Sequence, residues 1–129
     1  MKTLANELES YLHAPPHHAE GGITATFTCP EHFSGFNGHF PQKPVLPGIV
    51  QLMMAHYVAT MGKKHPLIAV KRAKFTRLVK PLDPITVCAI NAELSNDQLS
   101  NTIQSTVTLH VNDELCAQCV LVFTHKENA

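Results

Sequence analysis

The chain has no net charge. Ten lysines and arginines balance ten aspartates and glutamates, so bulk electrostatics points to neither nucleic acid nor a membrane surface. It has no apolar run of the roughly 20 residues that a membrane-spanning helix needs. Its opening, MKTLANELES, puts acids where a signal peptide keeps its apolar stretch, and the expected location is the cytoplasm. No repeat, linker or low-complexity segment breaks the 129 residues, and 44% hydrophobic content suits one domain, 1–129, with 1–20 as a helix and loop extension. Cysteine is scarce. Cys29, Cys88, Cys116 and Cys119 are expected as reduced, structural thiols. Cys116 and Cys119 have CxxC spacing, but residues three apart on a strand face opposite sides, and no second pair follows at zinc-site spacing. His17 and His18 adjoin in a proline-rich loop and read as solvated. No metal site is expected.

Carboxylates are missing where chemistry would want them. From Gln42 to Ile90 the one acid is Asp83, in a proline-flanked turn. What is present there is a titratable ring and a helix. Gly38-His39-Phe40-Pro41 sets one imidazole in an aromatic loop, 31–43, with Phe33, Phe36 and Phe40 around it. Aromatics beside a histidine suit the mouth of an apolar ligand channel, and equally a cap on the core. Pro44-Val45-Leu46-Pro47-Gly48 leads into apolar residues at helical spacing, Ile49, Leu52, Met53, Ala55 and Ala59, which predict a helix over 47–61 stopping near Gly62. Its faces are nearly all apolar or small, which implies burial on most sides. The free N–H groups at its start can hold a polarised carbonyl oxygen.

The remainder reads as strands. Leu4, Leu8 and Leu12 stripe a short helix over 3–12, and strands are predicted over 23–28, 67–77, 85–94, 101–111 and 115–125, with turns at 80–84, 95–97 and 112–113. One helix followed by consecutive long strands favours α+β with an antiparallel sheet. Strand 101–111 alternates and should have one wet side, whereas 115–123 is more continuously apolar and should lie deeper.

Charge is unevenly placed. Seven of the ten basic residues fall between Lys63 and Lys80 with no acid among them. Lysines guarding a strand edge explain this. So does docking of an acidic partner or phosphate, for which Lys71, Arg72, Lys74 and Arg77 are candidates, and nucleic acid is a third reading. Strand alternation sends Arg72 and Lys74 to one side and Lys71 and Arg77 to the other.

The block GHFPQKPVLPG and the apolar helix after it resemble the signature of the FabA/FabZ-type 3-hydroxyacyl-[acyl-carrier-protein] dehydratases. The longer stretches GHFPQKPVLPGIVQL and AVKRAKFTRLVKPLDPITV are similar to the ApeI-like branch, associated with aryl-polyene gene clusters. The resemblance spans roughly 23–125. It implies a hotdog fold, one long central helix wrapped by an antiparallel sheet, in protomers that pair so that the active site forms between two chains, as a homodimer or with another hotdog subunit. It implies an acyl carrier protein with a phosphopantetheine-linked substrate, no cofactor, and a place in fatty-acid or aryl-polyene type biosynthesis. His39 would be the base, Gly48 N–H would hold the thioester oxygen, and Phe33, Phe36, Phe40, Val45, Leu46, Pro47 and Gln51 would line the substrate.

The chain departs from the family at Met53, five residues after the glycine of PVLPG, where an Asp or Glu stands. Methionine cannot deliver a proton, and general acid–base participation is typically worth about 10²–10⁴-fold. The candidate substitutes are His56, one turn on and on the same face, or alternatively a core histidine; Gln51, which can orient a hydroxyl; Tyr57; and His39 itself. Three readings follow: a dehydratase, a non-catalytic acyl-binding or partner hotdog subunit, and a hotdog thioesterase.

Overall fold

The computed structural model describes residues 3–36, 44–93 and 102–125. Helix α1 (Leu4–Glu9) is started by Thr3, whose Oγ1 accepts the Asn6 N–H at 3.0 Å. Strands β1 (His17–Ala19) and β2 (Gly22–Thr28) follow, then a 3₁₀ turn over Ser34–Phe36, helix α2 (Gly48–Ala59), and strands β3 (Leu67–Phe75), β4 (Pro84–Glu93), β5 (Thr102–Val111) and β6 (Glu114–Thr124). The strands form one antiparallel sheet in the order β1-β2-β4-β5-β6-β3. This is the α+β arrangement expected.

Alternation makes one face of the sheet the core face. Ile23, Ala25 and Phe27 of β2, Ile85, Val87 and Ala89 of β4, Val107 and Leu109 of β5, and Leu121 and Phe123 of β6 are all buried there. Helix α2 lies across them through Val50, Met54, Ala55, Val58 and Ala59. Its N-terminal end reaches the end of β3, and its C-terminal end is tied to β4 by Asn91 Nδ2 donating to the Ala59 carbonyl at 2.9 Å.

Several expectations are corrected. The proline-rich loop around His17 and His18 contributes a short exposed strand, because its backbone pairs with β2. Helix α2 starts one residue after Pro47, which is extended, and ends at Ala59; Met61 and Gly62 take left-handed φ, and Gly62 N–H closes on the Tyr57 carbonyl at 2.9 Å. Burial of α2 is one-sided: Ile49 is 66% exposed and Leu52, Met53 and Tyr57 are only partly covered. On that side Tyr57 reaches α1 through Glu9.

Strand β3 stops at Phe75 rather than residue 77, because Thr76 and Arg77 both turn their N–H groups onto the Cys116 carbonyl (2.8 and 3.2 Å). Two register shifts in the β3–β6 ladder, the second between Val70 and Arg72, break its alternation. Arg72 and Lys74 pair with Val120 and Gln118 on the face away from α2, and Lys71 Nζ donates to Gln104 Oε1 at 3.1 Å on that same face. Lys71 therefore shares a side with Arg72 and Lys74. A shift in the β5–β6 ladder also leaves Cys116 between Leu115 and Ala117 without a partner across the ladder, and Cys116 and Cys119 are both buried.

Strand β3 ends the sheet order and is exposed along its whole length. Leu67, Ile68, Val70 and Phe75 present apolar surface there, and Ile49 and Leu78 are exposed as well.

Candidate active site

The start of α2 opens onto a cleft of about 490 Å³. One wall is the approach to the helix, Val45 to Gly48, with Gln51 one turn further on. The other is the end of β3 and the turn after it, Phe75 to Leu78. The walls are bound together, since Leu46 N–H donates to the Val79 carbonyl at 2.7 Å. A second depression of about 690 Å³ shares Val45 and Leu78 with the first and continues it toward Lys80, Leu82 and Asp83.

Pro47 occupies the N-cap position and makes no side-chain cap. The first-turn amides of α2 therefore have no capping side chain, and they carry the positive end of the helix dipole. Gly48 is the first of them. A Cβ built on Gly48 would stand 2.9 Å from the Phe75 ring, so only glycine lets β3 and the helix start come this close.

Gln51 is 4% exposed. Its Nε2 donates to the Leu46 carbonyl at 3.1 Å, and its Oε1 is itself buried, without a partner among the described residues. Arg77 also lines the cleft, with Nε 3.2 Å from Glu114 Oε1 and Nη1 3.7 Å from Cys116 Sγ. It is part of the cleft wall, not of the basic face of Lys71, Arg72 and Lys74. Among the described residues no carboxylate lines the 490 Å³ cleft. Asp83 lies in the adjoining depression and accepts the Lys80 N–H at 2.9 Å.

Val45, Leu46, Pro47, Gly48 and Gln51 are thus brought together, joined by Phe75, Thr76, Arg77 and Leu78. Phe75, Thr76 and Leu78 were not expected at a site. Nothing in their local spacing marks them, because a β3–β6 ladder carries them there. Phe33 and Phe36 do not line the cleft: the 3₁₀ turn folds both rings inward, where Phe33 sits edge-on to Tyr11 (5.3 Å) and Phe36 (5.8 Å). His39 and Phe40 lie outside the described residues.

Met53 is partly buried and packs against the core. His56 sits eight residues beyond Gly48, about 12 Å along the axis at 1.5 Å per residue, and donates from Nε2 to the His65 carbonyl at 2.7 Å while packing edge-on to Phe123. That is the core-histidine alternative. Tyr57 points to α1: its hydroxyl donates to Glu9 Oε2 at 2.7 Å, and burial together with that carboxylate pushes its pKa up to about 12.

The four thiols are free. Burial pushes Cys29 up to about 12 and Cys119 up to about 11, so both stay protonated at neutral pH and are poor nucleophiles. Among the described residues no three His, Cys, Asp or Glu side chains converge as a metal site would need, and no helix is long and apolar enough to cross a membrane. The arrangement offers backbone donors for a polarised carbonyl, an apolar trough and a guanidinium in its wall.

Comparison with known proteins agrees with this geometry. The chain is 30% identical over 104 residues, 73% of its own length and 69% of the relative's, to a 3-hydroxyacyl-[acyl-carrier-protein] dehydratase FabZ of Rickettsia massiliae. It is 32% identical over 93 residues to the FabZ of Rickettsia akari, covering 64% of this chain and 61% of that relative. Its fold is similar to the dehydratase heterocomplex ApeI:P from Xenorhabdus doucetiae, with TM-score 0.63 and 18% identity over 88% of this chain and 96% of that one. It is also similar to zebra fish thioesterase superfamily member 2, with TM-score 0.67 and 16% identity over 92% and 83% of the two chains. The fold is the hotdog fold. The ApeI-like (ApeI dehydratase) family matches residues 16–117, a span that runs from β1 into β6 and takes in both walls of the cleft, and the chain therefore belongs to that family.

Proposed function

We propose that this protein receives a 3-hydroxyacyl thioester from an acyl carrier protein and acts as a dehydratase of fatty-acid or aryl-polyene type biosynthesis, in the cytoplasm, as one hotdog domain paired with a second. The observation that carries the reading is the uncapped start of α2, with side-chain-free Gly48 opening onto an apolar cleft. In the reaction His39 takes the proton from the carbon beside the thioester carbonyl. Gly48 N–H holds the oxygen as negative charge gathers on it. The hydroxyl on the next carbon leaves with a proton as water, and the double bond forms between the two carbons. Since Met53 stands where the family has its acid, that proton returns from His39 or from a partner protomer. The exposed apolar β3 supports pairing, and the similar ApeI:P structure, a heterocomplex, supports a second hotdog subunit as one form of it. Lys71, Arg72 and Lys74 on the outer face are proposed to meet the acidic carrier.

A second reading is favoured by a specific observation. Met53 is a partly buried thioether and the cleft has no carboxylate among the described residues, which suits a subunit that binds the acyl thioester while a competent partner turns it over. Incubation with a 3-hydroxyacyl-carrier thioester separates the cases. Enoyl product that vanishes in His39→Ala supports the dehydratase. No product from the wild type, with activity appearing in Met53→Asp, supports the binding subunit. Free carrier thiol without enoyl product means hydrolysis and removes both.

A further inference from the structure

Phe75 stands on a fixed backbone and overhangs the start of α2. It is the last residue of β3 and pairs with Ala117 of β6, and the two residues after it both turn their N–H groups onto the Cys116 carbonyl, at 2.8 and 3.2 Å. Thr76 adds its Oγ1, which donates to the Leu115 carbonyl at 3.1 Å. The opposite wall is held by Leu46 N–H on the Val79 carbonyl at 2.7 Å. With the backbone tied on both sides, the room beside Gly48 is set by the Phe75 ring. That ring is 46% exposed and lines the cleft, so a ligand there can touch it. Yet three of its atoms lie 2.9 to 3.4 Å from where a Cβ on Gly48 would stand.

The position says which part of an acyl thioester meets the ring. A carbonyl oxygen held at Gly48 N–H lies about 2.9 Å from that nitrogen. Standard bond lengths then put the carbon next to the carbonyl within about 6 Å of it, in the neighbourhood the ring occupies. The carbonyl carbon has two arms. The polar arm, pantetheine with its amides and hydroxyl, suits the adjoining depression beyond Val45 and Leu78, where Glu31, Lys80 and Asp83 stand. That leaves the acyl arm on the side of Phe75, among apolar walls. A methylene at its first carbon fits beside the ring. A branch there adds bulk much as a Cβ on Gly48 would, and has to drive the ring aside. We infer that Phe75 is a specificity-determining residue, whose ring admits acyl thioesters with an unbranched carbon next to the carbonyl and turns away those branched at that carbon. The inference rests on the function proposed above and holds for a catalytic or a purely binding subunit, because Phe75 makes and breaks no bond.

The test uses the full chain and saturated pantetheine analogues in which a methylene replaces the thioester sulfur, so the carbonyl stays and nothing can turn over. Two acyl groups of equal chain length are compared by calorimetry, one unbranched and one with two methyl groups on the carbon next to the carbonyl. The doubly methylated carbon presents a branch to the ring whichever way it turns. Added apolar surface alone would make the dimethyl form the tighter ligand. The wild type should instead bind the unbranched form at least about tenfold more tightly, as a misfit in a close-packed apolar site implies. In Phe75→Ala the dimethyl form should bind at least as tightly as the unbranched one. Equal affinities in the wild type, or a lead for the dimethyl form, overturn the inference without any variant having to fold. So does a preference for the unbranched form that survives in Phe75→Ala. Those outcomes leave acyl binding standing, whereas failure of both analogues to bind the wild type removes the proposed function along with the inference.

Discussion

Phe75, the last residue of β3, lies over Gly48, the first residue of α2, so closely that a methyl group on the glycine would stand 2.9 Å from the ring. The contact joins the far edge of the sheet to the positive end of the helix. It sets both the width of the cleft and the access to the Gly48 amide.

Gly48→Ala is expected to leave stability within about 1 kcal/mol of wild type, since the helix-propensity gain offsets part of the overpacking and the partly exposed Phe75 ring can swing away. Binding of a 3-hydroxyacyl pantetheine analogue should fall at least about tenfold, because the displaced ring enters the cleft. Adding Phe75→Ala should restore much of it. Titrations on the two single variants and the double one read the coupling directly; additive losses would count against the contact.

The two groups of basic residues should separate in function. Arg77→Ala alters the cleft wall and should weaken binding of a small pantetheine ligand. Neutralising Lys71, Arg72 and Lys74 should leave that ligand's affinity unchanged but weaken capture of the acidic carrier protein, with a flatter dependence on salt. The Arg77–Glu114 pair is largely solvent-exposed on the glutamate side, and Glu114→Gln should cost at most about 1 kcal/mol. Surface plasmon resonance at two ionic strengths, beside chemical denaturation, checks all three.

Strand β3 exposes Leu67, Ile68 and Val70 at an edge with no strand beyond it in the described sheet. Replacing Ile68 and Val70 with lysine should shift sedimentation velocity toward the monomer and abolish turnover or acyl binding that depends on paired protomers. An unchanged sedimentation coefficient would place the proposed pairing elsewhere.

Alkaline pH should destabilise the fold through its buried thiols. Cys119 and Cys29 are raised by burial from the ordinary thiol value of 9.0 to about 11 and about 12. A raised pKa means the folded state keeps its proton while the unfolded chain loses it. Their contribution is therefore complete below pH 9.0 and is lost progressively up to about pH 12. Urea midpoints measured from pH 8 to 11 should fall, and Cys29→Ala with Cys119→Ala should flatten that slope while lowering stability overall through the cavities left behind.

Much of the molecule was readable in order along the chain. The stretch from Pro44 to Ala59 announced a helix with glycine at its start, and the strands other than β1 were found within a few residues of their ends. What failed to read were the places where regular alternation stops. The interruption between Val70 and Arg72 moved Lys71 to the side of Arg72 and Lys74, and the one at Cys116 left that residue without a partner across the ladder. A residue inserted into a ladder has no signature in the period-two pattern, because it exists only relative to the partner strand.

The residues that touch within a few positions of one another carry their own instructions: turn chemistry at Asn112 and Asp113, the uncapped proline entry to α2, the alternating β5. These depend on local φ and ψ preferences and on side-chain periodicity, which the order of residues specifies directly. The cleft has a different origin. Phe75 and Arg77 stand 27 and 29 positions after Gly48 along the chain, and they meet it because β3 pairs with β6 at the far edge of the sheet while α2 crosses the core face of that sheet. Likewise the burial of Gln51, with its nitrogen bound to the Leu46 carbonyl, follows from how the approach to the helix folds back on its first turn.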